Sequence, residues 1–386
     1  MHLIYKRLAK TGYLVGTLLF AAFVVSPSAL AAATFSSYSL PTISSEPFGV
    51  ATGSDGNVWF TEVANNKVGK ITPSGTITEY SVPTPSSELG MIAKGPDGNM
   101  WFTETDGNNI GKITPTGTIT EYSISTLSAE PFGITNGPDG NLWFTEYNGN
   151  KIGKITTSGT ITEYSITSPN SQPFGVTTGS DGNLWFTEQN TSKIGKITPT
   201  GTVTEYSGPA AGSDLVGISN GPDGNVWFGE AVGNKIGKIT PTGTITEYSV
   251  PTAGAYPDGI TSGSGNILWF TEEVGNKIGT ITTNGTITEY PVSTTSAAPA
   301  MITIGSDSNP WFTEFDADSI GVLRITNDQP SNSGTAAVTT TPAAPDTGYG
   351  APDHSSPIAL ALGIGTIVTT GIGLRLLARS KYVARL

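Results

Sequence analysis

Across residues 34–326 the apolar and polar positions alternate in short runs, and nowhere in that span do they follow the 3.6-residue period of a helix. The run Val58-Trp59-Phe60-Thr61-Glu62 leads through a four-residue loop into Lys67–Thr72. Pro73-Ser74-Gly75 then turns into the β-branched stretch Thr76–Val82. A shorter apolar run, 48–53, precedes these, set off by Ser54-Asp55-Gly56-Asn57. In other copies that turn starts with Pro96, Pro138 or Pro222, so Pro and Gly stand where a tight turn wants them. The pattern predicts four strands in 42 residues.

The unit recurs. Trp59, Trp101, Trp143, Trp185, Trp227, Trp269 and Trp311 are spaced by 42 throughout, each followed by Phe and then, two residues on, by Glu. A tyrosine series, Tyr38 to Tyr290, keeps the same spacing but starts before the first Trp and ends before the last. The seventh repeat therefore has three strands, ending near Thr326, and Thr34–Leu40 is the stretch left to complete it. Closure of this kind removes the open sheet edge that a linear array would leave. The prediction is an all-β fold, a seven-bladed β-propeller of four-stranded blades over 34–326, with the N-terminal strand completing the last blade. Separate small sheets would not bury enough surface to be stable.

Within each blade the Trp-Phe pair is expected to be inter-blade core, where such a side chain is worth about 3–5 kcal/mol against Ala. Glu62 and Lys67 flank the loop between the second and third strands and are expected to face each other as a surface ion pair, as are Glu146–Lys151, Glu188–Lys193, Glu230–Lys235 and Glu272–Lys277. Asn109 and Ser319 replace the lysine in two repeats, which leaves Glu104 and Glu314 as carboxylates open to a cation.

Composition narrows the chemistry. The chain has 386 residues, no cysteine, 13% charged residues and a formal charge of −12. Thiolate metal sites, disulfides and thiol nucleophiles are excluded, and a general nucleic-acid binder is disfavoured, since phosphate contacts need clustered Lys and Arg. His2 and His354 are the only histidines and neither lies in the repeats, so imidazole base chemistry and His-ligated metals are absent from the repeats.

The two ends read as addresses. Lys6, Arg7 and Lys10 precede an uncharged run, Leu14 to Val25, and Ala29-Leu30-Ala31 offers a small-x-small cleavage pattern. Residues 1–31 are expected to be a signal peptide, the alternative being an uncleaved anchor. Residues 327–343 suit an extended Ser/Thr/Pro-rich linker. In 344–386, Ala344-Pro345-Asp346-Thr347-Gly348 precedes 20 uncharged, mostly apolar residues (355–374) and a basic tail, Arg375, Arg379, Lys381 and Arg385. That order resembles a Gram-positive cell-wall sorting signal cut between Thr347 and Gly348, with Ala344 where Leu is usual. The alternative is a plain transmembrane anchor. Either way the propeller is expected to be exported, monomeric and held at the cell surface. Trimming at both ends removes seven of nineteen Lys and Arg but only Asp353 among the acids, so the exported chain carries 12 − 30 = −18.

A propeller's binding site usually lies at a channel mouth, where connections run into the innermost strands. Those segments differ from repeat to repeat while the rest hardly changes. Glu46, Phe48, Glu88, Glu130, Asp214, Tyr256 and Asp258 are the candidate ligand-binding residues, and their acidity admits a magnesium or calcium ion. The partner is left open among a glycan, a peptide and a basic protein, with no nucleic acid.

The run Gly137-Pro138-Asp139-Gly140-Asn141-Leu142-Trp143-Phe144-Thr145-Glu146, followed by Asn150-Lys151-Ile152-Gly153-Lys154-Ile155, resembles the virginiamycin B lyase family of seven-bladed propellers. The likeness covers 34–326 and every blade. It implies magnesium-assisted elimination that linearises streptogramin B antibiotics, carried by two mouth histidines, a Glu and a Tyr. Position by position this chain has Asp258 and Ala300 for the histidines, Ala298 for the Glu and Phe48 for the Tyr. The expectation is a non-catalytic binding or adhesion module with no catalytic residues and no cofactor beyond a mouth ion. The alternatives are a streptogramin B lyase or related enzyme rebuilt on Asp214, Tyr256 and Asp258, and a structural surface-layer component.

Overall fold

The computed structural model describes residues 32–326. The expected signal peptide at 1–31, the linker at 327–343 and the sorting motif, apolar segment and basic tail of 344–386, Thr347 and Gly348 included, lie outside the described residues.

Seven four-stranded antiparallel sheets make up the described chain, with one short 3-10 turn at Phe315–Ala317. Strand β1 (Ala32–Ser39) comes first. The first blade then runs β2 (Pro47–Thr52), β3 (Val58–Glu62), β4 (Lys67–Ile71) and β5 (Ile77–Ser81), adjacent in chain order. Five more blades repeat it. The seventh has three consecutive strands, Pro299–Ile304, Pro310–Glu314 and Ser319–Thr326, and β1 pairs on the last of them, from Ala32 opposite Thr326 to Ser39 opposite Ser319. The predicted closure is thus present, with the closing strand starting two residues before the expected Thr34 and ending one residue before Leu40. The innermost strands touch their neighbours all the way round, β2 against Pro299–Ile304 included.

Five consecutive residues of the second strand, Val58–Glu62 and their counterparts, are buried in every blade. Successive strand side chains point to opposite faces, so burial of all five residues requires cover on both sides. The two aromatics divide the work. Trp59 packs with Phe102, Met100 and Ile113 of the following blade, and Trp101 with Phe144 and Leu142. The same offset recurs at Trp143 with Phe186 and at Trp269 with Phe312. Each inter-blade core therefore holds one blade's Trp and the next blade's Phe. The Phe ring needs a glycine opposite it: a Cβ on Gly153 would sit 2.0 Å from the Phe144 ring.

Polar groups reinforce the seams. Thr61 Oγ1 accepts the Gly49 N–H (2.9 Å) and donates to the Gly90 carbonyl of the next blade (2.8 Å). Thr313 closes the circle on the Phe48 carbonyl at 2.9 Å. On the face away from the loops between second and third strands, Asp55 accepts from Trp59 Nε1 (3.1 Å), Tyr80 stacks on that indole, and Lys70 Nζ lies 4.9 Å over it. Cation–π contacts of this kind are worth about 0.5–1 kcal/mol at exposed sites.

The seventh-to-first junction has its own latch. In five of the other blades an Asn such as Asn66 receives one backbone N–H from the next connection, here Ser87 at 2.9 Å, and in the fourth Ser192 receives that of Gly212 at 3.1 Å. At the closure Asp318 stands instead and accepts three, from Ser44 (2.7 Å), Ser45 (2.7 Å) and Glu46 (3.2 Å). Hydrogen bonds to charged groups contribute about 1.5–3 kcal/mol net. Asp318→Ala is expected to lower unfolding free energy by about 2 kcal/mol or more, and Asp318→Asn by less. Denaturant melts of the two variants check this.

Candidate functional site at the channel mouth

Seven connections cross one face to reach the innermost strands. The last residue of each is left-handed: Glu46 (φ 50°), Glu88 (49°), Glu130 (51°), Gln172 (53°), Asp214 (57°), Tyr256 (58°) and Ala298 (47°). For a residue with a Cβ that conformation costs roughly 1–2 kcal/mol, and strain of this sort persists where the surroundings over-determine it. Here the carbonyl of each accepts an N–H from the residue just after the second strand, as Tyr147 to Glu130 (3.0 Å), Ala231 to Asp214 (3.0 Å) and Glu273 to Tyr256 (3.1 Å).

Two series of positions are thereby locked side by side at the mouth. One was legible in the sequence. The other, Val63, Thr105, Tyr147, Gln189, Ala231, Glu273 and Phe315, reads as loop. Its signal was the change of residue in every repeat directly after the unvarying Glu.

These side chains, with those two positions after each left-handed residue, sort into two arcs. Phe48, Phe132, Phe174 and Phe315 form an aromatic arc, with ring centroids 5.6 Å apart for Phe48–Phe132, 4.2 Å for Phe132–Phe174 and 6.4 Å for Phe48–Phe315. Phe48 reaches Phe132 across the second blade, whose equivalent position is Gly90. On the other side runs a polar arc. Tyr147 donates to Gln189 Oε1 (2.8 Å), and Tyr256 donates to Asp214 Oδ2 (3.0 Å). The Gln189 side chain also bonds Asp214, and Asp258 and Glu273 lie close enough to act on Tyr256.

Burial pushes the Asp214 carboxyl up despite its donors, and burial with Asp214 nearby pushes both the Tyr147 and Tyr256 phenols far above their ordinary range. Of the sequence-predicted residues, Glu130, Asp214, Tyr256 and Asp258 belong to this arc and Phe48 to the aromatic one. Glu46 is exposed at the closure latch. Glu88 faces a separate open recess of about 340 Å³ with Asn65, Asn66 and Asp106. Among the described residues no three or more acids or histidines gather closely enough to hold a metal ion. Asp214 is already engaged by neutral donors. The arc does not fit a carboxylate-held magnesium ion.

Beneath the mouth the expected Glu–Lys surface pairs are overturned. Glu62 and Lys67 are register partners, but Glu62 is fully buried and the lysine reaches past it to Glu79 on the outer strand, at 2.7 Å. Lys151 goes to Glu163, Lys235 to Glu247 and Lys277 to Glu289 in the same way. A long ammonium side chain keeps its head near water, and only the outer carboxylate is there. The two glutamates expected to take a cation are instead met by neutral donors: Glu104 by Ser87 (3.0 Å) and Asn109 (3.2 Å), Glu314 by Ser37 and Thr294.

The result is a ring of seven buried glutamates. Burial raises Glu62, Glu104, Glu188 and Glu230 to about 7 and Glu146 and Glu272 to about 8, and Glu314 is raised too. Outer-strand neighbours Glu79 and Glu163 add to it for Glu62 and Glu146. Those two outer acids and Glu289 are also partly desolvated, but hydrogen bonds from Lys67 and Thr42, and their equivalents, hold them low.

The virginiamycin B lyase family profile matches residues 29–171 and 134–345. Virginiamycin B lyase from Staphylococcus aureus, as its selenomethionine crystal structure, is 43% identical over 76% of this chain and 100% of its own, with a TM-score of 0.73. A catalytically inactive histidine-to-alanine variant of that lyase with quinupristin gives 42%, 76%, 100% and 0.73. Kuenenia stuttgartiensis hydrazine synthase, 13% identical over 75% of this chain and 97% of its own with a TM-score of 0.63, shares the fold alone. The comparison with curated proteins returns no match. The fold is a seven-bladed propeller like that of virginiamycin B lyase. The chain belongs to the virginiamycin B lyase family.

The glutamate ring sets a pH dependence. An unfolded glutamate titrates near 4.5, six of the folded ones are raised to about 7 or 8, and Glu314 is raised as well. Between those values the native state holds protons the unfolded chain has released, so stability is greatest at the acid end of the window and falls as pH rises through it. The lowered outer acids work below the window, where stability is lost as pH falls. The thermal midpoint at pH 5.5 is expected to exceed that at pH 8, and Glu146→Gln to flatten the difference, as read by scanning calorimetry across the range.

Proposed function

We propose that this protein is a non-catalytic binding member of the virginiamycin B lyase family, exported and held at the cell surface by its C-terminal segment. The observation that carries the reading is what stands at the positions the family resemblance marks as catalytic. Asp258 is 4% exposed, Ala300 is fully buried, Ala298 is a left-handed alanine, and Phe48 is part of the aromatic arc. No imidazole occurs in 32–326. Elimination needs a base that is free near neutrality and a placed acid. Tyr147 and Tyr256 are driven away from ionisation by burial and by Asp214. The two arcs support a binding role, since they offer an apolar wall opposite hydrogen-bonding acids.

One contact favours the second reading, a rebuilt enzyme. Tyr256 lies 3.0 Å from Asp214, a phenol beside a carboxyl that burial has raised. The full chain incubated with streptogramin B and magnesium separates the two. Elimination leaves the mass unchanged while hydrolysis adds water, so retention time and fragmentation are read together with mass. The expected outcome is ring opening no faster than in buffer. Ring opening that disappears in Asp214→Ala or Asp258→Ala would establish the rebuilt enzyme instead.

A further inference from the structure

In three of the seven connections a serine stands just before the left-handed residue and touches two acceptors at once. Ser87 Oγ lies 2.6 Å from the Thr84 carbonyl of its own connection and 3.0 Å from Oε2 of the buried Glu104. Ser45 is set the same way, 2.5 Å from the Thr42 carbonyl and beside Glu62. Ser213 lies 2.7 Å from the Ala210 carbonyl and beside Glu230. The third, sixth and seventh connections carry Ala129, Ala255 and Ala297 at this position, and in the fourth Ser171 turns to Asn150 instead.

A serine hydroxyl has one proton and two lone pairs, whereas an ionised carboxylate only accepts. While the serine donates to its carbonyl, which closes the turn of the connection, it can only accept from the glutamate, and the glutamate must then carry its proton. Once the glutamate is ionised, two acceptors compete for one proton. The glutamates are sealed from water, and a hydrogen bond to a charged acceptor is the stronger one. The serine turns to the charge and the carbonyl of the connection is given up. Glu62 is faced by Lys67, Glu79 and Asp318, Glu104 by Asn109 and Glu121, and Glu230 by Lys235 and Glu247. Burial outweighs these neighbours and raises all three glutamates to about 7.

We propose that the first, second and fifth connections are proton-dependent latches on the mouth, closed while the buried glutamate donates to the serine and released when it is ionised. The residue after each serine is Glu46, Glu88 or Asp214, so each latch positions a mouth side chain. Asp214 holds the polar arc together through Tyr256 and Gln189. The folded glutamates titrate above their ordinary range, so the latches are closed at the acid end and open as pH rises through about 7. The mouth is firm all round in mild acid and loosens at three of its seven connections in mild alkali, whatever it holds.

The test is hydrogen–deuterium exchange of the full chain at pH 6 and pH 8, with every amide corrected for its intrinsic base-catalysed rate. Protection across 43–46, 85–88 and 211–214 is expected to fall at least fivefold between the two, and across the alanine connections 127–130, 253–256 and 295–298 less than twofold. Ser87→Ala is expected to abolish the response at 85–88, with protection low at both pH values, and to leave 43–46 and 211–214 responsive. Glu104→Gln, whose neutral amide can donate at any pH, is expected to abolish it with protection high at both. Melting curves show that each variant is folded, and if Glu104→Gln is not, Ser87→Ala decides. An equal response in serine and alanine connections, or a response at 85–88 that survives Ser87→Ala, would overturn the proposal.

Discussion

Everything in this molecule depends on a five-residue strand that cannot be covered by its own blade. Val58-Trp59-Phe60-Thr61-Glu62 and its six copies are buried on both faces, and one face always belongs to a neighbour. A single repeat would leave an indole or a phenyl ring in water, each worth several kcal/mol of burial. The repeats are stable only as a set, and a set with free ends would still expose two faces. Pairing of β1 with Ser319–Thr326 removes those ends, and the three N–H bonds to Asp318 hold the closure where the chain next turns inward.

The same rigidity frees the mouth to vary. Each connection ends in a residue held left-handed, whatever its side chain: Glu, Gln, Asp, Tyr or Ala. The conformation is imposed by backbone hydrogen bonds to the residue after the second strand, so identity at that position carries no folding duty. An aromatic arc and an acidic arc have been written onto one seven-fold frame by changing residues at three positions per blade.

Burial also explains a feature at odds with elementary charge pairing. Lysine and glutamate lie directly opposite in register, yet the ion pair forms with a different carboxylate. The inner glutamate is sealed among strands and raised toward neutrality. The outer one has water and an ammonium group. Seven-fold repetition turns this local choice into a ring of acids whose ionisation burial opposes.

The chain's own pattern determined the number of blades, their four strands, the residues of the inter-blade core and the strand that seals the ring. These follow from a period of 42 and from the offset between the Trp and Tyr series, which are properties of order along the chain. The same ordering placed Glu46, Glu88 and Asp214 alike at the mouth. It did not separate them, because the direction a side chain takes from a left-handed residue depends on the neighbouring loop. Nor did it find Tyr147, Gln189 or Phe315, whose partners stand on neighbouring blades, or the fate of Glu62, which turns on how deeply its strand is buried while Lys67 reaches Glu79 of the same blade. Strand periodicity is written residue by residue. Which of two facing carboxylates meets water, and which loops share a rim, is settled only when seven sheets close around one axis.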